Sequence, residues 1–185
     1  MKPFPKRLKL ADLPTRIEKL ERFSERTGLN VYVKRDDMSG MEWSGNKIRK
    51  LEFSIQEALD RGADTLITCG GIQSNHCRAT AAAAARLGLR SCLLLRTDDP
   101  DPLLDGNYFI DKVLGADIRF ISAEDYRSRR GEAMEELAGE FERQGHKAYI
   151  IPEGASNGIG TFGYLSCMQE ILQQEKEKSR IRASE

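Results

Sequence analysis

The sequence predicts an α/β fold, a parallel sheet flanked by helices. A complete small domain is accompanied by incomplete pieces of a larger α/β domain. Three observations predict this. Between residues 64 and 152, short β-prone runs alternate with helical stretches, and each helical stretch is closed by a glycine. Helical stretches of that length between strands call for parallel pairing through right-handed crossovers. Outside that span lie a strand and two helices with no sheet of their own, as if a second domain were cut short.

In chain order, Val31-Tyr32-Val33-Lys34-Arg35 is the first expected strand. Residues 46–61 form an amphipathic helix, with Ile48, Leu51, Ile55, Ala58 and Leu59 on one face and Gly62 ending it. Thr65-Leu66-Ile67-Thr68-Cys69 is a β-prone run that closes in Gly70-Gly71. Residues 74–87 then read as a helix, capped by Ser74 or Asn75 and stopped by Gly88. Its five successive alanines, 81–85, suit close packing on a sheet. Residues 91–95 are the next strand, followed by a helix over 105–114 that ends at Gly115. Ile118-Arg119-Phe120-Ile121 alternates as a strand does, and a charged helix over 124–143 leads through Gly145 to a strand at 148–151. Residues 161–174 suit a last helix, which runs into the charged tail Glu175-Lys176-Glu177-Lys178-Ser179-Arg180. No strand is expected after it, and there is no internal repeat or low-complexity linker.

Composition narrows the function. At 185 residues the chain is long enough to bury a sizeable core. Lysine plus arginine and aspartate plus glutamate both total 29, a balance that argues against a nucleic-acid partner. No apolar run spans a bilayer, and residues 1–10 show no signal-peptide core, so neither a membrane nor a secretory role is expected. Cys69, Cys77, Cys92 and Cys167 form no C-x-x-C and read as reduced thiols. With only His76 and His146 as histidines, no metal site is expected. These features predict a soluble, cytoplasmic protein.

Two stretches carry chemistry. In Ser44-Gly45-Asn46-Lys47 a lysine stands beside a tight Gly-Asn turn at a helix start, with Arg49 and Lys50 close by. A lysine becomes a nucleophile or base when burial or neighbouring positive charge lowers its pKa. Taken alone, Lys47 is equally one more solvated lysine at a helix end. The second stretch, Gly70-Gly71-Ile72-Gln73-Ser74-Asn75-His76, opens a helix at the carboxyl edge of a parallel sheet, where open α/β folds bind ligands. The positive helix end favours an anion such as an amino-acid carboxylate. An ordinary N-cap, worth about 1 kcal/mol, accounts for Ser74 or Asn75 but not for both together with the paired glycines.

Three segments carry a family resemblance: V-Y-V-K-R-D-D-M-S-G-M at 31–41, S-G-N-K-I-R-K-L-E-F at 44–53, and G-G-I-Q-S-N-H-C-R-A-T at 70–80. They resemble the pyridoxal-phosphate enzymes that include D-cysteine desulfhydrase and aminocyclopropane-carboxylate deaminase, which share a tryptophan-synthase-β-like fold. The run M-S-G-M-E-W-S-G-N-K at 38–47 is closer to the desulfhydrase branch. The resemblance implies that Lys47 carries pyridoxal 5'-phosphate as a Schiff base, with Asn46 shaping the turn and Asn75 bonding the cofactor's ring oxygen. It implies that Ser74 holds the substrate carboxylate and helps to take the α-proton, with Asn75, Gln73 and His76 completing the substrate-binding set. His76 reads equally well as a satisfied capping histidine. Gly154-Ala155-Ser156-Asn157-Gly158-Ile159-Gly160-Thr161 matches a segment returning to the larger domain.

The implied division is residues 1–51 as the first part of the large domain, 52–153 as the small domain and 154–185 as the return. The implied reaction is β-elimination on D-cysteine, giving pyruvate, ammonia and hydrogen sulfide. Deamination of aminocyclopropane-carboxylate is the alternative within the family. The family's phosphate-cradling loop, its substrate-facing tyrosines and the partner of its pyridine nitrogen are expected beyond Glu185. The chain is therefore expected to be a truncated form with little activity, or a non-catalytic fragment serving as an interaction module. The sequence gives no oligomeric state, a homodimer being one arrangement.

Overall fold

The computed structural model describes residues 4–40 and 45–184, with side chains through residue 177. Ser44 and the Met41-Glu42-Trp43 part of the motif lie outside the described residues. The central layer is a four-stranded parallel sheet in the order β5-β4-β3-β6, built from β3 (Thr65–Gly71), β4 (Arg90–Arg96), β5 (Asp117–Ile121) and β6 (Ala148–Ile150). Its connections are helical: α3 (Asn75–Leu87), α4 (Gly106–Val113) and α5 (Ala123–Arg143).

Side chains alternate across this sheet as the pleat requires. Leu66 faces a core shared with Ala79, Ala82, Ala83 and Ala84 of α3, while Leu93 and Leu95 meet Cys77, Ala81 and Tyr108. On the other face Ile67, Cys69, Cys92 and Leu94 pack on Tyr126, Met134, Leu137 and Phe141 of α5. The alanine run lets α3 lie close to the strands, although Ala85 turns outward.

Three features depart from the sequence reading. β2 (Tyr32–Lys34) falls in the expected run at 31–35, but its antiparallel hairpin partner β1 (Ile17–Lys19) and the helix α1 (Glu21–Thr27) between them were not expected. Strand β3 continues through Gly70 and Gly71, which pair with Leu95 and Arg96. The last helix, α6 (Gly158–Ser184), begins before residue 161 and continues through the charged segment, with i,i+4 spacing such as Gln173 to Glu177 bonding along it at 3.1 Å.

Helix α2 (Lys47–Asp60) is buried on more than its apolar face. Ile48, Leu51, Ile55 and Ala58 join the α3 core as expected, but Arg49, Glu52 and Ser54 are buried too. For Arg49 the reason is α6, which crosses α2 so tightly that a Cβ on Gly163 would come within 2.4 Å of the Arg49 carbonyl oxygen. Arg49 is only 1% exposed. Its guanidinium is saturated by Asp36 at 2.8 Å, Glu170 at 2.9 Å and the Thr15 hydroxyl at 3.0 Å. Lys34 joins the same cluster through Glu170 at 2.5 Å, so hairpin, α2 and α6 meet at one buried charge network. Glu52 Oε1 accepts the Leu10 and Ala11 amides at 2.8 and 2.9 Å, pinning the N-terminal segment along α2.

Candidate active site

The candidate cleft opens at the carboxyl end of β3, where α3 begins. Ser74 is the N-cap of α3, with extended backbone, and its Oγ accepts the Cys77 amide at 3.3 Å. Ser74 thereby takes the capping role that the sequence left between it and Asn75. The Ser74 hydroxyl proton remains available, and the first-turn amides of Asn75 and His76 have no intrahelical acceptor. The paired glycines differ in their reasons. A Cβ on Gly70 would stand 2.5 Å from Ser74 Oγ and 2.8 Å from Cys77 Sγ, so that position must be glycine. At Gly71 the nearest atom would be Arg96 at an ordinary 3.5 Å.

Lys47 reaches the same cleft from the first turn of α2. The cleft holds about 890 Å³ and is lined by Lys47, Ser74, Asn75 and His76, by Pro152, Glu153, Gly154 and Ser156 of the return segment, and by α5 around Arg127 and Arg130. Helix α5 is kinked there, with non-helical backbone at Arg129 (φ −137°, ψ 15°). Gly154, at φ +64°, presents bare backbone to the lysine, since a Cβ there would lie 3.7 Å from Lys47 Cε. Among the described residues Lys47 Nζ makes no hydrogen bond and no ion pair. Its neighbour Lys50 is tied back by the Gly154 carbonyl at 2.7 Å and Ser156 Oγ at 2.9 Å. Burial, and then the charge of Lys47, lower the Lys50 pKa.

His76 is buried behind the cleft wall. The Thr68 hydroxyl donates to the Ile151 carbonyl at 2.7 Å and so accepts from His76 Nε2 at 2.8 Å. That assignment leaves Nδ1 as an unprotonated nitrogen without a hydrogen bond among the described residues. Burial first, and then Lys47 and Lys50, push the imidazole down to about 3, so it is neutral at physiological pH.

Two sequence-singled residues lie outside this wall. Asn46 is the N-cap of α2 but makes no capping bond with its side chain, and Gly45 before it has φ +109°. Gln73 is exposed and turns toward α4, where Nε2 donates to Asp105 at 2.8 Å and Oε1 accepts the Asn107 amide at 2.7 Å. Thr68, Asn107 and the two α5 arginines were not singled out in the sequence, and Lys50 only as a charge near Lys47. Only contacts across long sequence separations identify them. No group of His, Cys, Asp and Glu among the described residues could hold a metal ion, and no helix there is long and apolar enough to cross a membrane.

The family model described as pyridoxal-phosphate dependent enzyme matches residues 8–182. The chain belongs to this family. It is 47% identical over 180 residues to the bifunctional D-cysteine desulfhydrase/1-aminocyclopropane-1-carboxylate deaminase, mitochondrial, of Arabidopsis thaliana, covering 94% of this chain and 45% of that protein. It is 41% identical to the D-cysteine desulfhydrase of Serratia proteamaculans, covering 95% of this chain and 53% of that protein. A solved structure of an ACC deaminase homologue superposes with a TM-score of 0.85 at 42% identity, over 92% of this chain and 51% of that one. A fungal L-serine ammonia-lyase from Rhizomucor miehei, at 15% identity and a TM-score of 0.67, shares the fold. The chain thus spans about half the length of the relatives it matches.

The residues present fit the pyridoxal-phosphate family's cofactor on two observations. A lysine amine with no partner among the described residues stands in a cleft, facing a glycine whose missing side chain keeps space beside it. A helix N-terminus with free amides and an amide side chain borders the same space.

Proposed function

We propose that this chain supplies the lysine-bearing half of a pyridoxal-phosphate-dependent enzyme that eliminates the β-substituent of a small amino acid, D-cysteine foremost. The observation that carries the reading is the convergence of Lys47, Ser74 and Asn75 on one cleft from two different helix starts. Lys47 would hold the cofactor through its amine, and Asn75 would hold its ring oxygen. When bound, the cofactor supplies an electron sink for charge developing at the substrate α-carbon.

The chain's own groups divide the remaining tasks. The Ser74 hydroxyl and the first-turn amides of α3 bind the substrate carboxylate at the positive end of the helix. Once the substrate's own amine had displaced it, the freed Lys47 amine, with Ser74 Oγ beside the cleft, would take and hold the α-proton. Neutral His76 adds no second positive charge there, and its Thr68 contact fixes the ring that backs the site. Lys50, tied to Gly154 and Ser156, orients the return segment against Lys47. We read residues 52–153 as the small domain and 1–51 with 154–185 as parts of the larger one. The ion pairs of Lys34 and Arg49 with Glu170 support grouping the two end segments, although α2 itself runs across the 51/52 boundary.

A second reading, deamination of aminocyclopropane-carboxylate, is supported by the bifunctional name of the Arabidopsis relative. The test is to mix the chain with pyridoxal phosphate, reduce with borohydride and map adducts by peptide mass spectrometry. A single stoichiometric adduct on Lys47, abolished in Lys47→Ala, supports the reading, and scattered adducts on surface lysines refute it. Hydrogen sulfide from D-cysteine against ammonia from aminocyclopropane-carboxylate separates the two substrates. Absence of both, with a clean Lys47 adduct, would leave the chain a cofactor-binding fragment. A homodimer and a cytoplasmic location complete the proposal; gel filtration and cell fractionation test them.

A further inference from the structure

The start of α4 holds the start of α3 through one side chain. Asn107 Nδ2 donates to the Gln73 carbonyl at 2.9 Å and to Asn75 Oδ1 at 2.9 Å. Its Oδ1 accepts from Arg78 Nη1 at 3.0 Å. Its backbone amide donates to Gln73 Oε1 at 2.7 Å, and Gln73 Nε2 is spent on Asp105. Gly106, at φ +49°, makes the approach feasible, because a Cβ there would stand 2.5 Å from Gln73 Oε1.

The chemistry of these partners settles which end of each amide points where. A carbonyl oxygen can only accept and a guanidinium can only donate. Asn107 must therefore turn its nitrogen to Gln73 and its oxygen to Arg78. Its second N–H then needs an acceptor, which only the oxygen of the Asn75 carboxamide supplies. The Asn75 nitrogen, with both its donors, is left for the cleft that Asn75 lines.

We propose that Asn107 is a positioning residue, locking the Asn75 carboxamide so that its nitrogen and not its oxygen is offered to an anionic oxygen in the cleft. This rests on the cofactor-binding reading above, in which that oxygen is the ring oxygen of pyridoxal phosphate. A donor at the ring oxygen competes with the proton of the adjacent Lys47 Schiff base for the same electron density. Removing the donor strengthens the hold on that proton, so the pH midpoint of the visible absorption band rises.

The test titrates that band in the wild-type chain, Asn75→Ala, Asn107→Ala, Asn107→Asp and the Asn75→Ala/Asn107→Ala double variant. Cofactor dissociation constants are measured alongside. The aspartate variant keeps shape and the Arg78 partner but offers only acceptors, which forces the Asn75 amide to reverse. The expected result is an upward midpoint shift in both Asn107 variants, in the direction of Asn75→Ala. Affinity should be weaker by roughly 10- to 100-fold, as for losing a hydrogen bond to a charged group. In the double variant the shift should equal that of Asn75→Ala alone. An unmoved midpoint in Asn107→Asp overturns the inference while leaving the cofactor reading intact, and so does loss of the folded circular-dichroism spectrum in both Asn107 variants. A wild-type chain with no Lys47 adduct overturns both together.

Discussion

Replacing Asp111 by asparagine should stabilise the fold at neutral pH and flatten its dependence on pH. Asp111 sits on α4, is 0% exposed, and neither carboxylate oxygen has a hydrogen-bond partner among the described residues. Burial raises its pKa from 3.8 to about 7, against a smaller lowering by Arg78. Below the unfolded value the group is protonated in both states and contributes no pH dependence. Between the two values the unfolded chain gives up its proton while the folded chain keeps it, so stability falls as pH rises. Above about 7 the loss is complete. A difference of roughly three pKa units corresponds to about 4 kcal/mol. Asparagine has the same shape and no charge to bury, so its profile lacks this slope. Denaturant unfolding of both chains at steps from about pH 4 to pH 8 measures it, as the variant's advantage growing to about 4 kcal/mol across that window. Parallel profiles would refute the reasoning, showing that the carboxylate is solvated or paired.

Arg49→Met removes the cation at the junction of α2, α6 and the hairpin and leaves Asp36 and Glu170 facing each other. It should cost about 3–5 kcal/mol by denaturant midpoint, with a loss under about 1 kcal/mol contradicting the network. At Glu170, burial alone would raise the carboxyl, but Arg49 and Lys34 hold it below its ordinary value. Its stabilisation is therefore present above the unfolded pKa and lost as pH falls through the folded one, and Glu170→Gln should remove part of the acid limb of a stability profile. Gly70→Ala forces a Cβ against Ser74 Oγ and Cys77 Sγ and should destabilise by about 1–3 kcal/mol. If thermal unfolding and substrate-carboxylate affinity are both unchanged in that variant, the close approach is not required.

The parts of this molecule that a reader of the sequence can find are those whose cause is local. The strand and helix alternation from β3 to β6 is written in glycine stops at 88, 115 and 145 and in β-prone runs, each readable within ten residues. The Ser74 cap and the Lys47 turn are local in the same sense, so the two halves of the cleft were visible before their meeting was. What was hidden depends on partners far along the chain. Arg49 and Glu52 look like solvent-facing charges on an amphipathic helix, and only α6, more than 100 residues later, buries one of them. Strand β1 is three residues long and charged, too short for periodicity to show, whereas its partner β2 lies within the expected run at 31–35. Asn107 lies 32 residues from the Asn75 it holds, and nothing in Asp105-Gly106-Asn107 distinguishes it from an ordinary helix start. The same separation carries a physical consequence. A site assembled from local caps but aligned by distant amides keeps its residues when a contact is lost and gives up only their orientation. Substitutions at Asn107 should therefore change the spectrum of bound cofactor, whereas those at Lys47 should abolish the bond.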